Sequence, residues 1–211
     1  MVMEADGRKV RGDRTRRAIL AQAVDLASVE GLDGLSIGRL AAQLGVSKSG
    51  LFAHFGSKQE LQLETIDAAA ELFEAHVWAA VSDVEPGLPR LIALLDSWLG
   101  YFGRDVFSGG CFFANVEHEF DSRPGPIRDR IAEHKQRWID ALEAHVRAAQ
   151  RRGQLSVDIE PRQLAFELDA FPLLANSRFQ LTDDPAAFDL AAAAIRRTIE
   201  SAKPTGASAS A

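Results

Sequence analysis

Within residues 48–58, KSGLFAHFGSK, the chain sets Lys48, Ser49, His54 and Lys58 among Leu51, Phe52 and Phe55. Ammonium and hydroxyl groups at this density are donors for anionic oxygens or for the acceptors on base edges, and the interleaved apolar residues can seat the segment on a neighbour. Other chemistry finds little support. No Ser-His-Asp arrangement, glycine-rich phosphate loop or metal-ligand pair has convincing spacing, so neither catalysis nor a cofactor is expected. Glu117, His118 and Glu119, with His134 or His145, make a poor metal set because adjacent helical residues point about 100° apart.

The elements that must position these groups follow from spacing and punctuation. Ile19, Ala23, Leu26 and Ala27 share one face of a helix expected from about Asp13, with Gly31 as its stop. Ser36 is suited to cap a second helix, residues 37–44, and Gly45 to end it; Ser47 can cap a third, ending at Gly56-Ser57. Ser57 then caps a long fourth helix, 58–81, with Leu61, Ile66, Ala70, Phe73 and Val77 as its stripe. Further helices are expected at 88–104, 110–120, 126–152, 161–180 and 185–202, with Pro172 kinking the fourth of these or delaying its start. With no convincing strand, the fold class is all-α with about nine helices.

Short helix, glycine turn, short helix is the outline of a helix-turn-helix, in which the second helix lies in the DNA major groove with its N-terminal residues at base edges. Ala41 is small where the two helices approach, Gly45 supplies the turn, and Leu40, Leu44, Val46 and Leu51 are apolar where the pair packs. Lys48 and Ser49 fall at the start of the reading helix. Ser36 and Lys58 sit at starts of flanking helices, whose free N–H groups favour anions.

Residues 45–58, followed by Glu60-Leu61, resemble the signature of TetR-family transcriptional regulators, and the match in spacing runs over about 14–63. The resemblance implies a homodimer that binds a palindromic operator, acts as a repressor, and is released by a small molecule held in a C-terminal domain. Carried over by position, its DNA contacts fall on Ser36, Lys48, Ser49, Gly50, Phe52, His54 and Lys58. Phe52 stands where the family usually has tyrosine, so a hydroxyl that commonly bonds phosphate is missing. Gly50 has no side chain to read a base.

Organisation and charge agree with a reading head on an acidic body. Residues 1–58 carry 9 Lys or Arg against 6 Asp or Glu, while the chain as a whole has 24 against 30. We divide the chain into a flexible basic arm (1–12), a helix-turn-helix DNA-binding domain (13–60), a helical ligand-binding and dimerisation domain (61–202) and a disordered tail (203–211). Aromatic residues mark the third part, and Trp98, Phe102, Phe113 and Trp138 are expected to bound a ligand pocket. Asn115, His118 and Glu119 are candidates for its polar groups. The Ala-, Leu- and Phe-rich segments 161–181 and 184–199 are the expected homodimer interface. A single cysteine, Cys111, a charged N-terminus and the absence of a long apolar run place the protein in the cytoplasm, with no membrane partner. Two rival readings are a helical small-molecule-binding or enzymatic protein that does not use DNA, and a structural interaction bundle.

Overall fold

The computed structural model describes the backbone of residues 3–102 and 106–204, with side chains from residue 12 onward. Arg8, Lys9 and Arg11 of the expected arm, and the tail beyond its second residue, lie outside the described side chains. Among the described residues there are nine α-helices: α1 (Met3–Glu30), α2 (Ile37–Leu44), α3 (Lys48–Phe55), α4 (Lys58–Phe73), α5 (Leu88–Phe102), α6 (Phe112–Phe120), α7 (Pro126–Arg151), α8 (Pro161–Thr182) and α9 (Ala186–Ser201). The protein is all-α. Helix α1 begins ten residues before the start expected from the apolar period. Residues 3–11 are mostly strong helix formers, so propensity carries the helix back where periodicity gives no signal.

Two compact units form, Met1–Leu72 with Phe107–Ala132, and Phe73–Val106 with Glu133–Ala211. A division near residue 60 follows the end of the helix-turn-helix, whereas the first unit also takes in α6. The cause is bonding between α6 and the end of α1. Gly31 (φ 75°) ends α1, and the next two backbone N–H groups, of Leu32 and Asp33, donate to the two carboxylate oxygens of Glu119 at 2.7 and 2.8 Å. The left-handed dihedral favours glycine, and a Cβ on Gly31, 2.4 Å from Glu119 Oε2, would push the carboxylate off these donors.

The loop before α6 is fastened to the same place. The Gly109 N–H donates to Ser28 Oγ at 3.0 Å, and the Ser108 N–H to Asp25 Oδ1 at 2.9 Å. Asn115 Nδ2 donates to the carbonyls of Ser28 and Gly109, the latter at 2.9 Å. Backbone meets backbone here: a Cβ on Gly109 would fall 1.9 Å from the Ser28 carbonyl oxygen. Asn115 and Glu119, considered above as polar groups of a ligand pocket, are thus engaged within the first unit, and His118 is exposed. Glu119→Ala is expected to cost the first unit about 2 kcal/mol, because two N–H donors lose their acceptor at once. Urea unfolding should show this, with Glu119→Gln, which keeps an acceptor oxygen, losing less.

In the second unit the rod continuing from α4 changes its winding. Glu74–Trp78 forms a π turn and Ala79–Val81 a 3₁₀ turn, where an unbroken α-helix to residue 81 was expected. Residues five apart point about 140° apart on an α-helix. A turn bonded i to i+5 brings them nearer to one face. That places Phe73 and Trp78 against the same ring, Trp138, at 5.2 and 5.6 Å between centroids. Helix α8 starts at Pro161 behind the N-cap Glu160, whose side chain accepts from the Gln163 N–H at 2.7 Å, and continues through the buried Pro172 without starting late. Helices α8 and α9 pack together.

Candidate nucleic-acid interface

Local chemistry builds the reading head. Ser36 Oγ accepts from the Arg39 N–H at 3.3 Å and caps α2; Ser47 Oγ accepts from the Gly50 N–H at 3.0 Å and caps α3. Between them Gly45 (φ 65°) takes the left-handed conformation, and the Val46 N–H donates to the Ala41 carbonyl at 3.0 Å. Leu40, Ala41, Leu51 and Phe55 are buried, so the two helices are held by apolar contact behind this turn. Ser57 Oγ accepts from the Glu60 N–H at 3.1 Å and caps α4.

The predicted contact residues have distinct surroundings. Lys48 and Ser49 are exposed and Phe52 is 48% exposed. Their positions span about 100° of helix circumference, which makes one outward face. A Cβ on Gly50 would lie 3.0 Å from the capping Ser47 Oγ, a contact that a shift of a few tenths of an ångström relieves. Lys48 lies back along α2: a Cβ on Gly38 would be 2.9 Å from Lys48 Cε and 3.1 Å from its Nζ. Lys58 Nζ donates to the Asp33 carbonyl at 2.7 Å. Ser36 is exposed at the start of α2, and the His54 ring is half-buried, 6.2 Å from Phe55.

One residue that spacing did not single out holds this head together. The Arg16 guanidinium of α1 donates to both carboxylate oxygens of Glu64 on α4 and to the His54 carbonyl at the end of α3, and lies 4.8 Å over the Phe55 ring. A charged donor at a helix C-terminus meets the unsatisfied carbonyls there. In the sequence Arg16 is one of a run of basic residues; only the fold separates it from Arg14 and Arg17, which are exposed. Arg39 pairs with Glu30, and Arg123 with Asp33.

The second unit gathers aromatic rings around Trp138. Trp98 meets Trp138 at 4.7 Å and Phe102 at 5.6 Å, and Tyr101 meets Phe73 at 5.4 Å. Trp138 Nε1 donates to Asp169 Oδ1 at 2.9 Å, and Asp169 Oδ2 pairs with Lys135 Nζ at 3.0 Å. Three of the four expected pocket residues are therefore neighbours. Phe113 belongs to the first unit and packs edge-on against Phe112 at 5.3 Å. Helical spacing could not show this, because α5 and α6 join different units. Among the described residues no group of three His, Cys, Asp or Glu side chains is placed to hold a metal ion, and no helix is long and apolar enough to cross a membrane.

An outward-facing reading helix on a compact helix-turn-helix, carried with a second helical unit, defines a DNA-binding regulator. Residues 19–65 match the family model described as bacterial regulatory proteins, tetR family, and residues 87–195 match that of the tetracyclin repressor-like C-terminal domain. The chain belongs to the TetR family of transcriptional regulators, and is a ligand-responsive regulator rather than an enzyme. It is 25% identical over 163 residues to the nucleoid occlusion factor SlmA of Vibrio vulnificus (strain YJ016), covering 75% of this chain and 79% of that protein. A TetR transcriptional regulator from Chloroflexus aurantiacus J-10-FL has a TM-score of 0.84 at 26% identity, over 90% of this chain and 96% of that one. AibR, solved with isovaleryl coenzyme A and operator DNA, has a TM-score of 0.70 at 24% identity, over 86% and 96%.

Proposed function

We propose that this protein is a repressor that binds a two-fold operator as a homodimer in the cytoplasm and is released by a small molecule held in its second unit. The observation that carries the reading is the outward face of α3, where Lys48, Ser49 and Phe52 stand exposed beside the capped starts of α2 and α4. Lys48 and Ser49 read base edges; Ser36, His54 and Lys58 meet phosphates; Gly50 lets the backbone approach. Lys58 exchanges the Asp33 carbonyl for a phosphate oxygen, a stronger acceptor because it is charged.

The dimer uses α8 and α9, the segments 161–181 and 184–199. Phe166, Leu174 and Leu181 of α8 are 66, 69 and 85% exposed, and Leu190 of α9 is 63% exposed. The three α8 residues fall within about 80° of one another around the helix and form one exposed apolar row. A two-fold pair sets two reading heads at fixed separation, so that a ligand which changes the separation weakens DNA binding without touching the heads. Linkage requires operator DNA to weaken ligand binding by the same factor. Trp98, Phe102 and Trp138 mark the ligand site, since bundle ligands lie in apolar surroundings with few polar groups.

Selection from a random duplex library, followed by fluorescence anisotropy of the recovered site at several salt concentrations, tests the reading. A palindrome bound with steep salt dependence is expected. Recovery of no specific sequence would falsify it. On the recovered site Lys48→Ala should weaken binding roughly tenfold and relax preference at one base pair in each half-site. Phe52→Tyr should tighten it about three- to tenfold, the size of one added phosphate hydrogen bond. The exposed position of Phe52 leaves room for the hydroxyl, so thermal stability should not change.

A further inference from the structure

Among the described residues of the second unit, the buried polar side-chain atoms are hydrogen-bonded with one exception. Trp138 gives its indole N–H to Asp169, Asp169 is balanced by Lys135, and Ser97 Oγ donates to the His76 carbonyl at 3.3 Å. Trp98 is 3% exposed, and among the described residues its Nε1 is the buried side-chain donor or acceptor with no hydrogen-bond partner. The rings it touches, Phe102 and Trp138, present π faces and edges but no lone pair. An N–H resting on a ring face is a second-order interaction. Phenylalanine would fill much of this volume with no donor to satisfy, so the indole at this position calls for an acceptor that the described residues do not supply.

We propose that the Trp98 indole N–H is the polar anchor for the ligand, and that the ligand is a neutral, apolar molecule bearing a carbonyl-type acceptor, such as an aryl ketone, lactone or quinone. This rests on the reading of the aromatic cluster as the effector site. The polarity of the anchor decides the first point: an N–H donor repels a cation, so the cluster is not an aromatic cage for an ammonium group despite its three tryptophans. Charge decides the second. Asp169 already has two partners, Lys135 and Trp138, and so offers no uncompensated charge to a ligand of either sign. His145, beside the Trp78 ring at 6.0 Å, is held below the ordinary histidine value of 6.5 by burial and then by Arg90, so it carries no charge near neutral pH for an anionic ligand to pair with.

Prodan, a neutral naphthyl ketone whose emission reports its surroundings, is the probe, with dimethylaminonaphthalene, which lacks the ketone, as its control. Titrated into the full-length protein, Prodan is expected to bind saturably and to move the Trp98 indole proton downfield in a nitrogen-15 correlation spectrum, leaving the Trp78 and Trp138 signals nearly in place. Trp98→Phe should weaken Prodan about tenfold and leave the control unchanged, which separates the hydrogen bond from apolar contact. The spectrum of unmodified protein keeps the test decisive if that variant folds poorly. No saturable binding, an unmoved Trp98 proton with equal affinity in Trp98→Phe, or preferential binding of choline or decanoate overturns the proposal. Operator affinity measured in the same titrations keeps the two readings apart. Prodan bound through Trp98 without any effect on operator binding refutes the cluster as effector site; a compound that releases the operator while leaving Trp98 unmoved refutes the anchor alone.

Discussion

Leu174→Glu combined with Leu181→Glu is expected to make the protein monomeric and to lower its operator affinity by about a hundredfold or more. Both side chains are largely exposed in the single chain, at 69 and 85%, so carboxylates there cost its folding little. Against a second copy each would be buried without a partner, and the same charge would face it across the two-fold axis. Loss of the dimer removes bivalency. In the dimer the second head meets its half-site at an effective concentration near millimolar, which a free monomer at assay concentration cannot match. Sedimentation should show a mass of one chain, anisotropy the weakened binding, and thermal melting at matched concentration only the stability that association contributes. If α8 and α9 merely cap the core of one chain, mass and affinity will both stay as they were.

Arg16→Ala is expected to weaken the operator roughly thirtyfold, corresponding to about 2 kcal/mol, without lowering the salt dependence. Its guanidinium ties α1 to Glu64 of α4 and to the carbonyl at the end of α3, over the Phe55 ring. The ion pair alone is worth little, since its side chains are 37 and 27% exposed. The fork that joins three helices is what matters, because misplacing the reading helix spoils every contact it makes. Arg16→Lys distinguishes this role from direct contact with DNA. Lysine restores a charge but not a planar fork, so a positioning residue is not rescued, whereas a phosphate contact would be largely retained. For a phosphate contact Arg16→Ala should also reduce the salt slope by about one, and an unchanged slope with no rescue is the expected pair of results.

The parts of the molecule that were legible in the sequence are those decided within a few residues. Ser36, Ser47 and Ser57 cap helices because a hydroxyl reaches an N–H three positions on, and Gly31 and Gly45 end them because a left-handed dihedral strains other residues. These local rules, with the apolar spacing of Leu40, Leu51 and Leu61, were enough for the helix-turn-helix and for the all-α class. Where periodicity was the sole guide it failed at the margins. Helix α1 extends ten residues further back than its apolar stripe, and the rod beyond Phe73 changes winding to bring two rings to Trp138.

Partners distant along the chain could be learned only from the fold. Glu119 accepts from N–H groups 87 and 86 residues away, and Arg16 meets Glu64 at a separation of 48. Nothing in the spacing of one helix states which other helix it will meet, so Asn115 and Glu119 look like free polar groups until α6 is placed against α1. Phe113 and Trp98 both read as aromatic residues of one helical body, yet they lie in different units. The sequence by itself determined what kind of reading head this protein has, because caps, turns and short-range packing are encoded by neighbours. Tertiary structure alone decided which charges are engaged, which aromatic rings gather at Trp138, and that the N–H of Trp98 is left without a partner among them, because desolvation and pairing depend on surroundings that distant segments supply.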